Sequence, residues 1–217
     1  MTNQEVIKKI KNREKSSSKY TYGKTLLVCG KPGMMGAAIL ASRACFRIGA
    51  GLVVLSCDQT QHILIHEAIP EVMCIDRNID LEGLDKYAAI GFGCGAGKDE
   101  STLNALQYIF NNYKGSLVLD ADGLTLLAEN PGISENHKCK LILTPHVGEA
   151  ARLLNISREK VEEDREKAFQ DELAKFNNQG FNVDDVLNKN LNTEAKIKSL
   201  QRQKVLSTLN EIDICWM

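Results

Sequence analysis

The chain has 217 residues, of which 43% are hydrophobic and 25% charged, with a formal net charge of −1. This is an ordinary soluble-protein composition, long enough for one α/β domain or a domain with a tail. Near-neutral charge argues against a nucleic-acid or anionic-membrane partner, and no apolar run approaches the roughly 20 residues that span a bilayer.

The start, MTNQEVIKKIKNREK, is polar and lacks the apolar stretch of a signal peptide, so a cytoplasmic location is expected. Residues 1–18 read as an N-terminal arm. TLLVC at 25–29 predicts the first strand, followed by a glycine-rich turn and a small-residue helix over 34–48. Gly49 and Gly51 end that helix, as glycine often does. LVVLS at 52–56 is the next strand, and residues 72–75 form a weaker one. Further strands are expected at 88–92, 117–119 and 141–143, with a helix at 101–112. Their apolar residues are consecutive rather than alternating, so both sheet faces should be covered. Helical connections favour right-handed crossovers and a mainly parallel sheet. The expected fold is a three-layer α/β/α sandwich over residues 19–167. Ser157 should cap a helix over 158–176, and a divergent helical or irregular tail is expected over 168–217.

Four constellations fall at the carboxyl ends of these strands, where open α/β sheets bind ligands. CGKPGMMGAA (29–38) offers either a phosphate-facing helix start or close helix packing through small residues. GFGCGAG (91–97) reads as a flexible loop with accessible amides, suited to an anion or nucleotide. LDADGL (119–124) places Asp120 and Asp122 on one strand face if the strand continues, while Asp122 as a helix cap is the alternative. LILTPHVGE (141–149) brings His146 to the sheet edge and Glu149 into a first helical turn, where the helix dipole favours a carboxylate. His62 and His66 lie four residues apart and read as structural or solvated, because Ile63 stands where a zinc-protease motif needs glutamate. The seven cysteines are scattered without a C-x-x-C pair and read as free, partly buried thiols. No metal-ligating set is assigned.

In this order the motifs resemble the ADP-dependent NAD(P)H-hydrate dehydratase family of the ribokinase-like superfamily. The resemblance covers residues 19–167. Family members open with His-Lys-Gly-x-x-Gly, where this chain has Ser18-Lys19-Tyr20-Thr21-Tyr22-Gly23. GFGCG is similar to the family's Gly-Pro-Gly-Leu-Gly, with Phe92 in the proline position. LDADGLTLLA and LTPHVGEAARLL are close matches, with Val147 in place of a second proline. The resemblance implies dehydration of NADHX and NADPHX to NADH and NADPH, driven by hydrolysis of ADP or ATP with Mg²⁺. It implies substrate contacts at Ala38, Gly93, Gly95 and His146, with Asp120, Asp122 and Glu149 in support. The family's Val-Leu-Lys-Gly segment and Gly-Gly-Thr-Gly-Asp motif, whose aspartate is the catalytic base, do not occur in these 217 residues. VDDVL (183–187), with Asp185, is read as a chance echo without the glycines of an anion nest. The catalytic residue therefore stays unassigned. The resemblance implies an incomplete ribokinase-like fold with a hydrate half and no nucleotide half, whose activity alone is impaired. A small-molecule (vitamin or sugar) kinase of the same superfamily and a non-catalytic dinucleotide-binding remnant are the alternatives. A homo-oligomer stays open.

Overall fold

A computed structural model describes residues 14–77, 83–135 and 137–163 of the chain. Most of the expected arm, the continuation of the helix after Glu163, the tail at 168–217 and the VDDVL echo lie outside the described residues.

Among the described residues six strands form one sheet: β1 (Lys24–Val28), β2 (Leu52–Cys57), β3 (Met73–Asp76), β4 (Ala89–Phe92), β5 (Ser116–Leu119) and β6 (Lys140–Leu143). Their order is β3-β2-β1-β4-β5-β6, and every neighbouring pair is parallel. The chain winds outward from β1 to β3, then returns to lay β4 on the other side of β1. That reversal makes the gap between β1 and β4 the topological switch point, where loops leave in opposite directions and open a crevice.

Helices α1 (Met35–Ile48), α2 (His62–Ala68), α3 (Glu100–Asn112), α4 (Asp122–Glu129), α5 (Val147–Leu154) and α6 (Arg158–Glu163) connect or follow the strands. Successive strand residues point to opposite faces, and this chain buries both. Leu27, Val53 and Leu55 pack with Met35, Ala38, Ala41 and Cys45 of α1 and Ile65 of α2. On the other face Leu26, Val54, Ile90 and Leu117 pack with Leu106, Ile109 and Phe110 of α3 and Leu124 and Leu127 of α4. The expected three layers and parallel sheet are both present. β3 starts one residue later than its sequence pattern suggests, with Val72 buried before it and Met73 38% exposed on it. The reason is its place at the sheet edge, where one side has no neighbouring strand among the described residues and an apolar run need not coincide with the ladder.

Helix ends follow local chemistry. The backbone of Gly49 is left-handed and donates to the carbonyls of Cys45 and Phe46, closing α1. Asp99 caps α3 by accepting from the Thr102 amide at 2.9 Å.

One buried side chain ties the strand ends together. Arg77 follows β3 and is 8% exposed. Its Nη1 donates to the Ala96 carbonyl at 2.7 Å and to Thr102 Oγ1 at 3.2 Å. Its Nη2 donates to the carbonyls of Cys29 at 3.1 Å, Gly30 at 2.7 Å and Ser56 at 3.3 Å. Burial pushes the guanidinium pKa down, opposed by Cys29 and Asp99 nearby. Arginine nevertheless stays charged at neutral pH, because its starting value is so high. Arg77→Met preserves bulk but removes the side-chain donor from the carbonyls of Cys29, Gly30 and Ser56, each costing about 1–3 kcal/mol when left unsatisfied, while Ala96 keeps Thr102 Oγ1 as donor. Equilibrium urea unfolding of the full chain should therefore show a loss of about 3 kcal/mol or more. A loss within the scatter of surface substitutions would mean that water satisfies the carbonyls equally well.

Candidate active site

The four motif loops meet at the carboxyl edge of β1, β4, β5 and β6, and backbone hydrogen bonds stitch them in order. The Gly93 amide donates to Val28 and the Gly30 amide to Cys94, each at 3.0 Å. The Asp120 amide donates to Phe92 at 3.0 Å, and the Thr144 amide to Leu119 at 3.2 Å. These bonds extend the parallel ladder by one residue past each strand, so the loops begin from a rigid rim.

Ala38 lies beneath this rim. It is 0% exposed, in the core layer with Leu27 and Leu55. A Cβ added at Gly30 would stand 2.8 Å from the Ala38 methyl. Ala38 thus lets the β1 loop lie flat on α1, and its side chain offers no surface to solvent.

The glycine loop after β4 is packed, unlike the flexible loop with accessible amides expected from sequence. Gly93 has φ +121°, and an added Cβ there would fall 1.9 Å from the Asp120 carbonyl oxygen. Gly95 has φ +61° and sits against Ala37, whose methyl would be 3.0 Å from a new Cβ. Both are buried. Glycine is required because the loop is pressed between the α1 start and the β5 corner while its backbone is left-handed. Three of its amides are already engaged: Gly93 with Val28, Ala96 with Gly93, and Gly97 with Asp122 Oδ2 at 2.8 Å.

The acidic corner also differs from the simple pattern. β5 stops at Leu119, and Ala121 adopts φ 47°, ψ −115°. A non-glycine residue in such a sparsely populated conformation costs about 1–3 kcal/mol and persists only where surrounding contacts impose it. The bend separates the two carboxylates. Asp120 turns back, accepting from the Ala121 amide at 2.9 Å and from Cys94 Sγ at 3.5 Å. Asp122 opens α4 and holds the Gly97 amide, so it is a bridge between loops and not the helix cap. Burial pushes the Asp120 carboxyl above the usual aspartate range, against the hydrogen bonds from Ala121, Cys94 and Thr144.

His146 and Glu149 form a reciprocal cap on α5. His146 Nδ1 accepts from the amides of Gly148 at 3.0 Å and Glu149 at 3.2 Å. Glu149 Oε2 accepts from the His146 amide at 2.9 Å. With Nδ1 an acceptor twice over, neutral His146 carries its proton on Nε2. That nitrogen lies 3.4 Å from Glu149 Oε1, on a side chain 69% exposed beside a glutamate only 10% exposed. Burial raises the Glu149 pKa, the His146 amide and ring oppose it, and Asp120 adds repulsion. The rim therefore holds two buried carboxyls with raised pKa beside one exposed imidazole.

The amides of Gly93, Ala96 and Gly97 in the glycine loop are already engaged within the protein, and no described residue at the rim is assigned to ADP, ATP or Mg²⁺. The carboxylates of Asp120, Asp122 and Glu149 do not converge as a three-ligand group among the described residues. Sequence reasoning did not find Arg77, which braces the rim. The available signal was an arginine directly after a predicted strand, at the sheet's carboxyl edge.

Residues 25–180 match the profile of a family described as NAD(P)H-hydrate dehydratase. The chain belongs to the NAD(P)H-hydrate dehydratase family. This family member is 40% identical over 153 residues to the ADP-dependent (S)-NAD(P)H-hydrate dehydratase of Streptococcus thermophilus, covering 68% of the chain and 55% of that enzyme. It superposes with TM-score 0.64 and 27% identity on the ADP/ATP-dependent NAD(P)H-hydrate dehydratase of Bacillus subtilis, co-crystallised with ATP/Mg²⁺, covering 76% of the chain and 59% of that structure. A ribokinase-like superfamily protein of Enterococcus faecalis shares the fold, with TM-score 0.70 at 24% identity, covering 81% of the chain and 62% of its own. The chain spans about half the length of the curated dehydratases it matches. No helix among the described residues is long and apolar enough to cross a membrane.

The raised Asp120 pKa has a stability consequence with a definite sign. Between the ordinary aspartate value and its higher folded value, the folded chain binds more protons than the unfolded chain. Stability therefore falls as pH rises through that window, and the deficit persists above it. Asp120→Asn keeps an acceptor for the Ala121 amide and removes the buried charge. Its melting temperature relative to wild type should improve from about pH 4 to about pH 7. A difference independent of pH would show that burial of this charge costs nothing.

Proposed function

We propose that this chain binds the hydrated nicotinamide nucleotides NADHX and NADPHX and supplies the substrate-holding half of their dehydration to NADH and NADPH. Family membership and the joint placement of the DADGL and TPHVGE segments on one sheet edge support this reading. The observation that carries it is the solvent-exposed imidazole of His146, whose ring is fixed through Nδ1 by two helix amides.

Dehydration removes a hydroxyl and a proton from the hydrated ring, releasing water. Such a site needs a donor held in position before the substrate arrives, because an oriented dipole need not reorganise during reaction. His146 fills that role by donating from Nε2 to a polar oxygen of the hydrate. Glu149 keeps the ring in place, and Asp122 ties the Gly97 loop to α4. Gly93 and Gly95 form a closely packed wall for the dinucleotide, and Ala38 keeps the β1 loop low enough to leave the crevice open. Asp120, behind the wall, sets the field in which His146 works.

ADP or ATP, with Mg²⁺, is the energy source on this reading. No described residue is assigned to hold it, and no step is drawn through it. The GGTGD motif is absent from these 217 residues, so the chain alone should turn over far more slowly than a full-length relative. Losing a general base alone typically removes about 10²–10⁴-fold.

A repair assay with NADHX, ADP or ATP and Mg²⁺ measures this directly against the Streptococcus thermophilus enzyme. A rate lower by about 10²-fold or more is expected, together with retained NADHX binding. His146→Asn keeps a good helix cap but removes the Nε2 donor, and should weaken hydrate binding by about tenfold, the worth of one hydrogen bond. Unchanged binding by folded His146→Asn would remove His146 from the site. Robust turnover that Asp185→Asn abolishes would show the echo motif to be catalytic.

A further inference from the structure

A second cluster of chemistry-bearing side chains lies away from the rim, where β2, β3 and α2 meet. Cys57 ends β2 and Cys74 lies within β3. The register pairs Leu55 with Cys74 and Cys57 with Asp76. Cys57 and Cys74 are therefore on the same sheet face, two positions apart in register. That face is the one covered by α1 and α2. His62 opens α2, and the turn before it is fixed by Asp58, which accepts from the Thr60 amide at 2.8 Å. Three elements thus deliver two sulfurs and an imidazole to one place.

Their ligand atoms all lie within 4.8 Å of one another. Both cysteines are free thiols. His62 Nε2 is buried without a hydrogen-bond partner. A thiol cluster in a core is common, but a buried ring nitrogen without a partner is costly. We propose that Cys57, His62 and Cys74 form a zinc site, with water at its fourth position, that clamps β3 and α2 to β2.

The donor chemistry selects the metal. Two thiolates and an imidazole without a carboxylate suit zinc and not magnesium or calcium, which take oxygen ligands. Tetrahedral zinc with sulfur at about 2.3 Å and nitrogen at about 2.0 Å spaces its ligands by about 3.5–3.8 Å. Closing the cluster by at most about 1.3 Å reaches that spacing. The clamp bears on the rim as well, because β3 leads directly into Arg77.

The test uses the full chain, stripped of metal and reduced with a phosphine. Cobalt(II) should bind once per chain, giving a thiolate-to-metal charge-transfer band and the visible intensity of a tetrahedral site. Zinc should displace it and raise the melting temperature. Cys57→Ser, Cys74→Ser and His62→Gln each remove a direct ligand. Each should weaken zinc by at least the about 10–100-fold that losing an outer hydrogen-bond partner of a ligand costs. Cys215→Ser and Cys139→Ser should leave affinity unchanged. Cys57 is buried, so if Cys57→Ser fails to fold, the half-buried positions Cys74 and His62 decide. Absence of the thiolate band, cuprous binding without zinc binding, or unchanged zinc affinity in both folded Cys74→Ser and His62→Gln would overturn the proposal.

Discussion

Four carbonyl oxygens converge on one guanidinium at the carboxyl edge of this sheet, and the geometry of the rim depends on that convergence. Past the last ladder bond the carbonyls at the strand ends lose their neighbouring-strand partners, and loops that leave at once cannot all satisfy them. Arg77 collects those of Cys29, Gly30, Ser56 and Ala96. It thereby joins the ends of β1 and β2 to the loop after β4. From there the order propagates outward through the Gly30–Cys94 and Asp120–Phe92 backbone bonds to the acidic corner. A planar fork with five donors suits this task, where a lysine ammonium would reach fewer acceptors.

The same tightness explains the chemistry. Loops that crowd one another must use glycine at Gly93, tolerate strain at Ala121, and bury carboxylates at Asp120 and Glu149. Each would be unfavourable alone. Together they hold His146 with its ring oriented and its side chain open to solvent beside Glu149. Electrostatic preorganisation of this kind is what a site gains from a costly local structure. The chain's overall charge of −1 conceals this local concentration of acid.

The fold was legible because TLLVC and LVVLS are short runs, apolar on consecutive positions and bordered by glycine, a pattern that suits a strand covered on both faces. The positions of Asp120, Asp122, His146 and Glu149 at strand ends were legible for the same reason. Their orientations were not. Nothing in an alanine warns that residue 121 will take a positive φ and split the two aspartates. Histidine is not a usual helix cap, so the role of His146 Nδ1 is visible only in three dimensions. Arg77 was hidden because its acceptors lie 19 to 48 residues away along the chain. His62 was weighed against His66, its neighbour along the helix, whereas the two thiols within 4.8 Å of its ring come from two strands. Ligand spacing in sequence detects sites built on one loop and misses those assembled from three elements.

At the far end of the sheet, β6 has a strand neighbour on one side only among the described residues. Its other side is a row of backbone N–H and C=O groups, a template for pairing with another extended segment. A strand added there in parallel would bring its own carboxyl end beside Thr144 and His146, enlarging the crevice without disturbing Arg77 or the β1–β4 gap. The architecture is thus modular at this edge: the same ladder that allows growth would, left open, invite strand exchange between copies.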